Sequence, residues 1–512
     1  MNNAKKSTYN ILFGIIGQII TISLGIIFPR LILINLGSEV NGLTNSIAQI
    51  FSYFTLLEAG IGTASLQALY GPVGKKDYNS INNILAAVDN HYKKTGVIYL
   101  LSFIALSIIY PFAIDSNLSN STIFWVIIFT GLSGVVSYFF QGKYNVLLLA
   151  EGKNYINNNL STITYIISSF LKVVLLLTGY NIVVIQAMYC LCNFLKMLYI
   201  EWYIHKNYKW ININVPQNKK AVSQSKYVLI HQISSLIFNN TDTVILTFFI
   251  GLTPVSIYSM YMLLFGTIGT AIGTITSGVQ FVLGQTFNID RNRYIKLHSL
   301  YEILSMVLCF SLLCVANNLI LPFMTLYTKG IVDVNYIDKY LPYLFASIYL
   351  LSNARESSNI TIKFAEHFKQ TINRTIIEAS INLFVSILCV NWFGIYGVLI
   401  GTISALLYRT NDMIIYSSKN ILNISPIKTY IRWFRNLIIF ITLTIFIKLI
   451  PMTLNSYINI IIWAIILTLA TGVIFLTINL LFEKEVRTLS LNYIADFIKI
   501  KRKNVAEKVD SM

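Results

Sequence analysis

Charge is what this chain has least of. Asp, Glu, Lys and Arg make up only 12% of 512 residues, about half the share carried by an ordinary soluble domain. Hydrophobic residues reach 55% and mean hydropathy is +0.65, which excludes a string of soluble domains. Cysteine is nearly as scarce. Cys190, Cys192, Cys309, Cys314 and Cys389 all fall in apolar segments. The Cys190-x-Cys192 pair lacks zinc-ligand spacing and no His/Cys cluster follows it, so all five read as packing thiols. A phosphate-binding loop is missing too. Gly71 to Lys76 places glycines before a lysine, without the four-residue spacing or the following Ser/Thr that such a loop needs. Neither a metal nor a cofactor is implied.

Long apolar runs take the place of charge. A bilayer core about 30 Å thick needs ~20 such residues per helix, and fourteen segments qualify: 9–35, 42–70, 95–114, 122–149, 157–178, 182–204, 226–250, 255–286, 297–321, 340–364, 371–391, 395–417, 434–451 and 457–482. Backbone groups in lipid must be satisfied internally, so these runs are expected to be helices. The first is too long for a signal peptide's core and has no small-residue cleavage site, so it is expected to stay as a span.

Of 38 Lys and Arg residues, 30 lie in every second gap and at the two ends. Lys329, Lys339 and Lys448 alone fall on the opposite side. Cytoplasmic loops retain Lys and Arg, so both termini are expected in the cytoplasm. Because the net charge of +17 is confined to one set of loops, it fits an anionic inner leaflet better than nucleic acid. Outer connections are tight, only 327–339 having any extent, which leaves no outer domain for catalysis. Inner connections are longer. Tyr78, Ile81, Ile84, Leu85, Val88 and Tyr92 repeat at helical spacing, as do Leu489, Tyr493, Ile494, Phe497 and Ile498 ahead of a basic C-terminus. Helices in the headgroup layer and ordinary loop helices are both open for the first of these.

The chain also resembles itself at an offset near 215 residues. Ala150 and Glu151 match Ala365 and Glu366, Asn158 matches Asn373, Gly179 matches Gly394, and Val40 matches Val255. Six spans fall on six, an even number, so both copies have the same orientation and the repeat is parallel. The expected organisation is an all-α polytopic membrane protein of about 14 transmembrane helices. It divides into an N-terminal lobe (1–204), a basic cytoplasmic linker (205–225), a C-terminal lobe (226–418), two extra helices (419–482) and a basic amphipathic tail (483–512). Two like-oriented lobes suit alternating access.

At this point a family likeness emerges. Phe28-Pro29-Arg30, the run from Leu36 to Leu43, Leu57 to Gly62, Thr241 to Leu246, and Gly394 to Val398 resemble the multidrug/oligosaccharidyl-lipid/polysaccharide (MOP) exporter superfamily. Within it the chain looks most like polysaccharide-biosynthesis flippases of the O-antigen (Wzx) type. The lipid II flippase branch usually has more cations in its first spans than the single Arg30 found here. The resemblance implies a bacterial cytoplasmic-membrane transporter, not an enzyme. It would flip an undecaprenyl-pyrophosphate-linked oligosaccharide repeat unit, with membrane lipids around it and a glycan polymerase or other assembly proteins as partners.

Five cations nonetheless sit inside apolar segments: Arg30, Lys172, Lys196, Arg355 and Arg409. Each costs about 2.5–3.5 kcal/mol at a helix centre, so they are expected to face water or a partner. Lys196 and Arg409, near inner ends, are placed to snorkel. Polar stripes at helical spacing accompany the others: Ser161, Tyr165, Ser168 and Lys172; His231, Ser235 and Asp242 beside Asn239; Ser352, Arg355, Asn359 and Glu366. Arg forks match phosphate oxygens, while Asn, Ser and Tyr match sugar hydroxyls. Arg30, Lys172, Arg355, Asn239, Asn359 and Tyr165 are therefore the expected substrate contacts, with ion pairing to Asp242, Glu58 or Glu378 as the structural alternative. Asp242, Glu58, Glu378 and Asp412, with His231, are candidates for coupling to an ion gradient. A multidrug or cation antiporter of the same superfamily is the competing reading, and a membrane glycan polymerase another.

Overall fold

The computed structural model describes residues 20–21, 23–58, 61–218 and 226–491, and those residues contain helices and no strand. In chain order the helices are α1 (Ser23–Leu36), α2 (Ser38–Phe54), α3 (Ile61–Lys75), α4 (Tyr78–Ala113), α5 (Asn120–Val136), α6 (Gly142–Ala150), α7 (Asn154–Leu177), α8 (Ile182–Asn207) and α9 (Lys226–Phe249). They continue as α10 (Leu252–Ile289), α11 (Arg291–Tyr327), α12 (Leu341–Ala354), α13 (Glu356–Phe364), α14 (Phe368–Phe393), α15 (Ile395–Tyr416), α16 (Ile427–Lys448) and α17 (Tyr457–Phe482). Ten helices among the described residues are long and apolar enough to cross a membrane. The start of the first expected span, residues 219–225 of the basic linker and all but the first few residues of the tail lie outside the described residues.

Each of the fourteen apolar segments coincides with helix, but not always with an unbroken one. Segment 42–70 passes through a tight 3-10 turn at Thr55–Glu58, and 122–149 through a π-turn at Ser137–Gln141 between α5 and α6. Segment 340–364 breaks at Arg355, where five polar residues (355–359) interrupt the apolar run. The amphipathic stretch from Tyr78 to Tyr92 lies neither flat on the membrane nor in a solvated loop. It is the first half of the 36-residue helix α4, and Ile81, Ile84, Leu85, Val88 and Tyr92 are buried with Leu147, Leu148, Ile200 and Ile204. Its apolar face is covered by protein.

Helix boundaries recur along the chain. α2 begins at residue 38 and α10 at 252; α4 begins at 78 and α11 at 291; α6 spans 142–150 and α13 spans 356–364; α7 begins at 154 and α14 at 368. The spacing stays at 213 or 214 residues. Even the caps repeat: Asp77 accepts from the Ser80 N–H at 3.1 Å, and Asp290 from the Arg293 N–H at 3.0 Å. Gly37 and Gly251, with φ of +84° and +107°, turn the chain before α2 and α10, a backbone conformation that disfavours any residue with a Cβ.

Contacts divide the chain into two compact units. The first holds Met1–Met260, Gly330–Tyr336 and Thr375–Gly401; the second holds Tyr261–Lys329, Ile337–Arg374 and Thr402–Met512. In the first, one apolar core gathers Val40, Leu43, Tyr110, Ile127 and Ile185, and another gathers Tyr92, Tyr99, Phe103 and Leu147. In the second, Phe310 stacks among Trp433, Phe440 and Phe475, tying α16 and α17 to α11. Outward faces stay apolar: Ile458, Ile462, Ile466, Leu469 and Val473 of α17 are all exposed, an area that lipid rather than water would cover.

Candidate functional site

In the first unit the polar stripe of α7 faces α8. The Lys172 ammonium lies over two rings, 4.6 Å from the centre of Phe28 and 4.2 Å from that of Tyr189. A desolvated cation–ring contact contributes about 2 kcal/mol, so two of them offset most of the insertion cost of a lysine. Phe28 is on α1, two residues before the half-buried Arg30. The box thus joins α1, α7 and α8 around one cation. Further along the stripe, Ser168 donates to the Tyr165 carbonyl at 3.1 Å, and Lys196 of α8 donates to the Ser161 hydroxyl at 3.0 Å. Lys196 therefore has a partner within the bundle rather than only a route to the headgroups.

His231 and Glu378, far apart in the chain, come into one neighbourhood. The His231 ring Nδ1 is 3.2 Å from the Thr375 hydroxyl, one turn before Glu378 on α14. Glu378 is buried, and Asn382 and Ser386 continue the same face at i+4 and i+8, both buried. Ser386 donates to the Val398 carbonyl of α15 at 3.3 Å. Close approach there depends on Gly397 and Gly401. A Cβ on Gly397 would lie 2.5 Å from the Cys389 carbonyl, and one on Gly401 would overlap the Ser386 hydroxyl.

Asp242 is held elsewhere on α9. It is 4% exposed and accepts from the Tyr258 hydroxyl of α10 at 3.1 Å; beside it the Thr241 and Tyr53 hydroxyls are 2.9 Å apart. The exposed Asn239 turns its amide back on Ser235, one turn earlier. Glu58 ends the 3-10 turn, and its side chain lies outside the described residues.

Arg355 and Asn359 belong to the second unit, at the break between α12 and α13. The Asn359 N–H donates to the Arg355 carbonyl at 2.8 Å, and the Asn359 amide donates to Glu356 at 3.2 Å. Two expectations change here. Arg409 does not snorkel: it is 2% exposed and paired with Asp412 at 2.6 Å. Arg374 grips the other Asp412 oxygen at 2.7 Å. A carboxylate clamped by two guanidiniums serves as a structural anchor, which removes Asp412 from the coupling candidates.

Two networks went unseen in the sequence. Arg432, assigned to a basic inner loop, is buried on α16 between Glu302 of α11 at 2.5 Å and Glu483 at 2.8 Å. In the first unit, Asp333 accepts from the Ser38 N–H at 2.7 Å and from its hydroxyl at 3.0 Å. Tyr336 lies within hydrogen-bonding distance of both Ser38 and Ser256, and Asn41 donates to Ser256 at 2.8 Å. No local period announces partners 130 to nearly 300 residues apart.

No protein-family model matches the sequence, and no curated protein does. Solved structures do match. A lipid II flippase, MurJ, in an inward closed conformation is similar over 92% of this chain and 99% of its own, at a TM-score of 0.64 and 15% identity. An inward-facing multidrug-resistance MATE family transporter of the MOP superfamily matches 78% of this chain and 94% of its own (TM-score 0.61, 15% identity). A Vibrio cholerae MATE transporter matches 83% and 99% (TM-score 0.54, 13% identity). This chain has the MOP-superfamily fold. Within the MOP fold, the six-helix repeats end near α15, and α16 and α17 follow them. The two MATE matches leave 17–22% of this chain uncovered, and α16 to the C-terminus is 86 of 512 residues, about 17%. The lipid II flippase match leaves only 8%.

Proposed function

We propose that this chain is a transporter, not an enzyme, that flips an undecaprenyl-pyrophosphate-linked oligosaccharide repeat unit across the bacterial cytoplasmic membrane by alternating access. Its product would feed surface-polysaccharide assembly, with a glycan polymerase acting downstream. One observation carries the reading. Lys172 is kept within a membrane helix between Phe28 and Tyr189, next to the helix turn of Arg30. A cation retained there at an insertion cost suits a diphosphate-linked headgroup and opposes a cationic drug. Coverage supports the same side: the lipid flippase structure accounts for more of the chain than the MATE structures do. In this reading Arg30, Lys172 and Arg355 meet the diphosphate or acidic sugars, and Tyr165, Asn239 and Asn359 meet hydroxyls. His231 and Glu378 carry the coupling ion.

The experiment is deletion of the gene with analysis of lipid-linked glycans on both leaflets. A flippase defect strands complete repeat units on the inner leaflet, and wild-type protein restores export. Single exported units, left unpolymerised, would instead mark a polymerase. Efflux of cationic dyes restored by the chain would favour the multidrug reading.

A further inference from the structure

We propose that a groove along α16 and the end of α17 is a binding site for an anionic phospholipid. The inference is independent of the transported substrate. Ile427, Tyr430, Ile431, Phe434, Ile438, Ile439 and Phe482 line a groove of about 570 Å³, and Arg435 is its only charged wall residue. Ile427, Ile431, Phe434 and Ile438 recur at i, i+4, i+7 and i+11, so they form one continuous strip down α16. Both helices are long and apolar enough to cross a membrane, so the medium against this strip is lipid.

The cationic wall says which lipid. Arg435 is mostly buried, with one Nη donating to the Asn479 carbonyl oxygen at 2.5 Å and lying 3.6 Å from Glu483, while its face lies 5.5 Å from the Phe482 ring. Its Nε is buried with no acceptor, and a buried unsatisfied donor costs about 1–3 kcal/mol. Glu483 does not fill that need, because its oxygens are shared with Arg432. Lys428, exposed and seven residues before Arg435, lies on the same edge of the helix. A phosphodiester seated between them would give Nε its acceptor, with Lys428 as a second cation about 10 Å along the axis. Its acyl chains would run down the isoleucine strip. This end of α16 adjoins the basic segments that mark the inner leaflet, where anionic headgroups concentrate.

The test uses full-length protein in nanodiscs of phosphatidylcholine with added phosphatidylglycerol. Lipid retained after mild detergent extraction is then read by native mass spectrometry. Wild type should keep one or two phosphatidylglycerol molecules at least fivefold over phosphatidylcholine. Arg435→Gln should abolish that preference, and Ile431→Trp, which fills the groove without touching a charge, should expel the lipid in a protein that still elutes as a single species. Equal retention of the two lipids would overturn the proposal, as would phosphatidylglycerol surviving in Ile431→Trp. Undecaprenyl phosphate displacing phosphatidylglycerol at equal concentration would also overturn it, by giving the groove to a polyprenyl tail.

Discussion

Lys172 offers the sharpest separation of function from stability. Removing its charge relieves about 2.5–3.5 kcal/mol of insertion cost and gives up two ring contacts of similar total, so Lys172→Met should leave the amount of protein in the membrane unchanged. Glycan export should fall at least tenfold, and unchanged export would remove Lys172 from the substrate path. Arg432 behaves in the opposite way. Arg432→Met leaves Glu302 and Glu483 facing one another without their counter-charge, a loss of about 3–5 kcal/mol readable as a lower melting temperature in detergent. The pH response follows from Glu483, which caps α17. Burial pushes its carboxyl up, but the Arg432 hydrogen bond and the charges of Arg432, Arg435 and Lys428 outweigh that and hold it below its ordinary 4.5. A depressed carboxyl stabilises the fold above its unfolded value, and that contribution is lost as pH falls through the folded value. Wild type should therefore lose more thermal stability below about pH 4.5 than Glu483→Gln does.

Helices carry the next level of consequence, and glycine decides how closely they pack. A Cβ at Gly42 of α2 would overlap the Leu252 carbonyl at the start of α10, so Gly42→Ala should cost about 1–3 kcal/mol through overpacking. Gly71→Ala, with nothing within 4 Å, should be neutral in the same melting assay. The positions of the helices were legible in hydropathy because ~20 apolar residues are a physical minimum for a span. The stripe of α7 was legible from its period of 3.6. What the sequence hid was pairing at long range. Lys and Arg near a basic gap read as loop residues, so the burial of Arg432 against a glutamate 130 positions earlier left no trace in local pattern. The meeting of His231 with Thr375 was equally invisible, since each sits alone on its own helix. Arg355 was read on a continuous stripe, and the polar run beginning with it instead broke the helix.

At the scale of the whole molecule, the distribution of basic loops sets the orientation, and labelling can check it. Val332, 97% exposed in the long outer connection, and Ile289, 84% exposed beside an inner one, can each be replaced by cysteine. A membrane-impermeant maleimide should reach Val332→Cys in intact cells, and Ile289→Cys only after permeabilisation; the reverse would invert the topology. Recurring caps and helix lengths have a further implication. Asn41 and Ser256 occupy positions that correspond, within one residue, in the two repeats, and they hydrogen-bond to each other. Matching positions meet only where a two-fold axis runs between them, as in a symmetric homodimer. The chain therefore has the anatomy of a fused dimer, its interface already complete before any covalent link joined the halves. Severing it between residues 218 and 219 and co-expressing both pieces should restore a working protein.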